Sequence, residues 1–277
     1  MKAKILLFGM TLFLLTFASC NKDDEGNSSS LTSEETMTNA KMDAAADDVS
    51  KIIDDQYNVQ ENSKMVVPAS ILPSCATVTT VVTGNTWTRT IDFGTTGCDM
   101  PNGNSLRGTI IVSGSTDFNQ STHTIHYSFL HFYHNNTLIE GNNTVVRTLE
   151  STNANANLHP VANMTIHMTF TLVNGNVYTR VGNRVREMVV GYDTPDVWLD
   201  NEFLITGSWV TTLPNGGTQN STITTPLRIR MNCNHIVSGV LTVTRNNVTA
   251  TLDYGDGSCD NIAVVTINGV AHTITLG

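Results

Sequence analysis

The chain has 277 residues and a formal net charge of -9, with 41 Thr and 29 Asn. Only 14% of its residues are Asp, Glu, Lys or Arg, against a usual ~25%. That acidic balance excludes a broad basic nucleic-acid face. So few charges also disfavour helical bundles and coiled coils, whereas Thr favours strands and Asn favours turns.

Lys2 and Lys4 precede an almost uncharged apolar run at 5–17. This is shorter than the ~20 residues of a spanning helix and matches a signal-peptide core. It ends in Thr16-Phe17-Ala18-Ser19-Cys20. Small residues directly before a cysteine resemble the bacterial lipobox, which implies a signal peptide at 1–19 and lipidation of Cys20, with a palmitate-type acyl chain. An ordinary signal peptide with a chance cysteine is the plainer alternative. Each buried CH₂ of an acyl chain contributes ~0.8 kcal/mol, so a multiply acylated Cys20 anchors stably. Lys22, Asp23, Asp24 and Glu25 then resemble the export signal that carries Bacteroidota lipoproteins to the cell surface. A merely solvated acidic tether over 20–33 is the alternative.

Residues 34–61 predict the one helix. Met42, Ala45 or Ala46, Val49, Ile52 and Ile53 recur at i, i+3, i+4, i+7 spacing. Asp43, Asp47, Asp48, Asp54 and Asp55 fall mainly on the other side, as expected of an amphipathic helix packed on the body or standing as a stalk. From Val66 onward the period becomes two. In 164–172 apolar residues hold every even position, the pattern of a half-buried strand. The pairs Asn135-Asn136, Asn142-Asn143, Asn174-Gly175, Gly182-Asn183, Asn215-Gly216 and Asn268-Gly269 read as hairpin turns. Residues 62–277 therefore predict an all-β domain, an antiparallel meander of about a dozen or more strands, folded as a sandwich or an open barrel.

That body contains a duplication. Thr90-Ile91-Asp92-Phe93-Gly94 leads to Cys98-Asp99, and Thr251-Leu252-Asp253-Tyr254-Gly255 leads to Cys259-Asp260. A further glycine follows nine residues after each of those aspartates, at Gly108 and Gly269, and each copy has a cysteine upstream, Cys75 or Cys233. The repeated units span 75–112 and 233–277. Four cysteines beside Cys20 in an exported chain suit two disulfides, and three pairings are open. The duplication favours Cys75–Cys98 and Cys233–Cys259. A zinc site is the competing reading, weakened by the lack of a C-x2-C pair.

Together, the lipobox, the acidic signal, the early helix and the T-I-D-F-G-x3-C and L-D-Y-G-D-G-x-C-D-N segments resemble a family of Bacteroidota, mainly flavobacterial, surface lipoproteins. The resemblance implies an outer-membrane, surface-exposed, lipid-anchored protein, and it supplies no catalytic residues.

Three clusters invite chemistry. His123, His126, His131 and His134 form H-x2-H-x4-H-x2-H, but same-face pairs in one strand lie ~26 Å apart, so chelation needs a bend or a neighbouring strand. Asp193, Asp196, Asp200 and Glu202 surround Trp198 in 191–203. Oxygen ligands on a loop suit Ca²⁺, and aromatics beside carboxylates suit sugars; the aromatics also suit a plug at the sheet's end. The segment Asp253-Tyr254-Gly255-Asp256-Gly257 is similar over five residues to a motif of PKD domains, and reads as a tight turn with Asp253 and Asp256 capping N–H groups; Ca²⁺ at Asp256 and Asp260 is the alternative. No G-x-S-x-G, H-E-x-x-H, Walker or dinucleotide motif is present. The expected role is non-enzymatic, binding or structural, in contact with glycan, matrix or an envelope protein. The alternative is a hydrolase of polysaccharide or peptide using the 191–203 loop. Residues 20–61 hold three Lys against eleven acids and residues 62–277 ten basic against thirteen acidic residues, so the acidity sits in the anchor and helix.

Overall fold

The computed structural model describes residues 31–63, 70–194 and 197–276. The signal peptide, Cys20 and the acidic export signal lie outside the described residues. Helix α1 spans Ser33–Glu61. The strands that follow are β1 Thr77–Thr83, β2 Thr86–Asp92, β3 Cys98–Asp99, β4 Ser105–Ser115, β5 Thr122–His134, β6 Thr137–Glu150 and β7 His159–Thr171. They continue with β8 Val177–Val190, β9 Glu202–Thr212, β10 Thr218–Arg230, β11 Ser238–Arg245, β12 Val248–Asp256, β13 Ile262–Ile267 and β14 Val270–Thr275.

All the strands belong to one antiparallel sheet. Apart from the two-residue β3, which flanks β4, each strand pairs the next in chain order, and β1 and β14 are the edges. The expected meander is therefore present, and of the two expected architectures the open one applies. Among the described residues no second sheet covers the inner face; α1 covers it. Alternation supplies that face: in β7, Met164, Ile166, Met168 and Phe170 are buried and the intervening residues are not.

The helix begins at a capping box in which Glu35 N–H donates to the Thr32 side chain and Glu35 returns a carboxylate to Thr32 N–H. Its apolar residues Met42, Ala45, Val49, Ile52 and Ile53 join the same core as Trp87, Ile91, Phe132 and Leu241. Val49 and Ile52 are wholly buried, and burial of each such side chain stabilises by about 1.5–3 kcal/mol.

Of the acids predicted for the solvent side of α1, Asp43, Asp47, Asp48 and Asp55 are buried too, and Asp54 is half-buried. Asp43 Oδ1 accepts from Arg180 Nη1 and Arg184 Nη2, each at 2.6 Å. Arg186 reaches Asp47 at 3.1 Å and Asp54 at 2.8 Å. Other bonds run from Arg89 to Gln60, Arg147 to Asn58, Gln219 to Asn39 and Arg245 to Glu35. Partners on β2, β6, β8, β10 and β11 place the helix inside the curl of the sheet. A stalk would leave those carboxylates in water; here the arginines of the inner face complete them.

The duplication is structural as well. In both copies the aspartate accepts from the N–H of the glycine two residues on, Asp92 from Gly94 at 2.8 Å and Asp253 from Gly255 at 2.9 Å. Asp256 and Asp260 likewise accept from the N–H of Ser258 and Ile262. The cysteine pairs are at disulfide distance, Cys75–Cys98 with Cα atoms 5.8 Å apart and Cys233–Cys259 with 5.2 Å.

Two expected turns are strand interiors. Asn142-Asn143 lies within β6 and Gly182-Asn183 within β8. Gly182 serves close approach: a Cβ there would stand 2.3 Å from the Ser208 carbonyl oxygen and 2.6 Å from the Trp209 Cβ.

Candidate functional site

The predicted acidic loop and both disulfide-tied segments meet at one end of the sheet. A short 3₁₀ turn, Trp198–Asp200, precedes β9. Beside it a cleft of about 610 Å³ opens, within the size range of ligand sites. Its walls are Ile71, Leu72 and Pro73 before β1, Met100, Pro101 and Asn102 after β3, the Val197-Trp198-Leu199 rim, and Met231 with Asn234 after β10. Cys75–Cys98 fastens the first wall to the second, and Cys233 stands in the last. Lys51 and Asp48 of α1 form the floor.

That floor is a polar network. Asp48 Oδ2 lies 2.8 Å from His134 Nε2 and accepts from Asn104 Nδ2 at 2.8 Å, while Asn102 Nδ2 donates to Oδ1 at 2.9 Å. Lys51 Nζ sits 3.0 Å from Asp47 and 3.9 Å from Asp48. Burial pushes Asp48 up, but the His134 hydrogen bond, the Lys51 and His134 charges and the Asn102 amide outweigh it. Its carboxyl is held below the ordinary aspartate value. The cleft thus combines an exposed apolar rim, one tryptophan, amides and an ionised pair.

Among the described residues, the predicted carboxylates Asp193, Asp200 and Glu202 do not line this cleft. Asp200 Oδ2 accepts from Thr194 Oγ1 at 2.7 Å, Glu202 is engaged by Arg228 and Arg230, and Asp193 is exposed. Asp196 lies outside the described residues. Among the described residues no group of three His, Cys, Asp or Glu is placed to hold a metal ion. Trp198 is the member of the set that lines the cleft, and Phe203 below it is core, with the Arg186 guanidinium 3.8 Å over its ring.

The four histidines disperse. His123 packs on Tyr57 and Phe118, His126 contacts Thr144, and His134 turns inward to Asp48. His131 occupies an irregularity between β4 and β5 with φ 47°, opposite Gly108, where a Cβ would stand 1.9 Å from its carbonyl oxygen. The bend falls at His131 itself and leaves it exposed. Missed from sequence were Asp48 and Lys51, whose i, i+3 spacing is common to any solvated helix face.

A scan of family models and searches of curated proteins and of solved structures each find no match. Among the described residues no helix is long and apolar enough to cross a membrane.

Proposed function

We propose that the protein is an outer-membrane lipoprotein, anchored through acylated Cys20 and displayed at the cell surface, whose β body works by binding. Its seat is the Trp198 cleft and its ligand a glycan segment, with sugar rings against the indole and hydroxyl groups at Asn102, Asn234 and the Lys51–Asp48 pair. The observation that carries this reading is the cleft itself, a tryptophan-walled groove over a polar floor, held by disulfide-tied loops. Among the described residues one carboxylate lines it, Asp48, which is held below the ordinary aspartate value and already hydrogen-bonded. Glycoside hydrolysis by the usual route uses two carboxyl groups, one of them protonated, so the geometry favours binding over cleavage.

Trp87 and Trp209 are buried, at 0% and 2% exposure, so Trp198 is the indole through which a ligand changes intrinsic fluorescence. On a glycan array the full chain is expected to bind a defined subset. Fluorescence titration of the wild type then places a bound glycan at that indole, and isothermal titration calorimetry gives an affinity that Trp198→Ala lowers at least ~10-fold, a loss equivalent to about 1.4 kcal/mol. Equal affinity in the variant removes the cleft from the account, and release of labelled fragments from polysaccharide or peptide establishes the hydrolase alternative. Labelled palmitate incorporation that survives Cys20→Ala overturns the anchor.

A further inference from the structure

The edge strand β1 is exposed along its whole length. A two-residue turn, Gly84-Asn85, closes its hairpin with β2 on the pair Thr83 and Thr86. Such turns close on a hydrogen-bonded pair, so by alternation Val82, Thr80 and Val78 aim their N–H and C=O groups away from β2. The same residues stand on the concave face, because Val82 is opposite Trp87 and Val78 opposite Ile91. Trp87 and Ile91 are both at 0% exposure, while Val82 is at 58% and Val78 at 37%. The core reaches β2 and stops one strand short of the edge.

The duplication shows what the position takes. β2 matches β12, with Ile91 standing where Leu252 stands, and Leu252 is opposite Leu241 of β11. β11 is therefore the counterpart of β1. Its far edge is paired by β10, with Ile223 opposite Leu241, and both Leu241 and Val243 are wholly buried. Among the described residues β1 has no such neighbour.

Natural sheets guard an exposed edge with lysine, proline or a bulge. β1 reads Thr-Val-Thr-Thr-Val-Val-Thr and pairs β2 without a register shift. A two-fold axis makes each side chain at the centre face its own copy, so a charge there would repel itself; β1 has none. The strand is also self-complementary. An antiparallel two-fold through Thr80 sets Val78 against Val82 of the partner subunit, and Val82 against its Val78, all four on the concave face. The other edge, β14, fits less well, with His272 near its centre and Ile274 already buried.

We propose that β1 is a docking edge for the β1 of a second copy of this chain, pairing antiparallel about Thr80 so that one sheet runs through both bodies. The pairing satisfies outward backbone groups by strand addition and covers the valines as β10 covers β11.

The test is sedimentation equilibrium of the full chain in density-matched detergent. The wild type is expected to show twice the chain mass. Thr80→Pro removes an outward N–H without touching the β1–β2 ladder, and is expected to raise the dissociation constant at least ~10-fold with an unchanged far-UV spectrum. Val82→Lys, a side-chain change alone, is expected to do the same, and it decides the matter if the proline variant misfolds. Thr80→Cys should give a disulfide-linked dimer under mild oxidation. A monomer at every concentration, or a dimer indifferent to Val82→Lys, overturns the proposal. So do oligomers of unlimited length abolished by Ala271→Pro, because they signal head-to-tail pairing of β1 with β14.

Discussion

Asp43 is the place to test whether the buried ion pairs hold the helix. Its Oδ1 receives both Arg180 and Arg184 at 2.6 Å, and the three side chains are 0%, 2% and 8% exposed. Asp43→Asn keeps the volume but removes the charge, and its NH₂ adds donors where the neighbours already donate. Two guanidiniums then remain buried, partly compensated by the Trp209 ring 4.2 Å from Arg184 and by the Asn39 oxygens on Arg180. Breaking one partner of a buried pair typically costs about 3–5 kcal/mol. For a body of this size that lowers the melting temperature by about 6–20 °C. Urea titration followed by circular dichroism, with calorimetry beside it, gives both numbers. Glu202→Gln is the control, because Arg228 and Arg230 are 37% and 36% exposed and such half-wet pairs contribute about 0–1 kcal/mol. Replacing all three charged residues, Asp43→Leu with Arg180→Met and Arg184→Met, should recover most of the loss, since the cost lies in stranded charge. A loss for Asp43→Asn no larger than the control's refutes the reasoning.

Two further predictions concern acid and oxidation. The Asp48 carboxyl is held below the ordinary aspartate value in the folded protein, so its ionised form adds stability above about pH 4 that is lost as pH falls through the folded value. Asp55 is the reverse: burial, only partly offset by Ser70, Gln56 and the Ile71 N–H, raises it, so its contribution is present at low pH and fades as pH rises through the folded value. Melting temperatures from pH 2.5 to 7 should show a flatter acid limb in Asp48→Asn but not in Asp55→Asn; identical limbs contradict the assigned signs. Non-reducing peptide mapping should recover Cys75 with Cys98 and Cys233 with Cys259, and Cys98→Ser with Cys75→Ser should cost about 3 kcal/mol in a urea melt. A peptide joining Cys75 to Cys233 contradicts the within-repeat pairing.

The meander was legible because neighbouring strands pair locally and turn residues such as Asn246-Asn247 and Asn268-Gly269 take the positive φ their chemistry permits. The helix was legible as an element at 34–61, but its seat inside the sheet was not, and β8 shows why. There Arg180, Arg184 and Arg186 face inward with Tyr178 and Met188, while Val177 and Val181 are exposed. Hydropathy alternation puts the valines inside. Only the knowledge that a line of aspartates fills the concavity reverses the phase, and that knowledge is tertiary. The same blindness placed Asp43, Asp47 and Asp48 on the wet side of α1. For the cleft, Trp198 was visible as an aromatic in a charged loop, but its floor comes from a helix about 150 residues earlier and its other walls from the two cystine segments. The charge count changes meaning accordingly: much of the acid surplus of 20–61 is internal counter-charge for the body's arginines.

The seated helix also sets an order of events during synthesis. Asp43 lies 137 residues ahead of Arg180, and Glu35 lies 210 ahead of Arg245. Hairpins can zip as they emerge, because each closes a short loop. The helix, made first, must wait in water for partners made last, and its carboxylates suit it to that wait: an exposed acidic segment stays soluble where an apolar one of the same length invites association. The feature that closes the finished molecule thus keeps the unfinished one in solution.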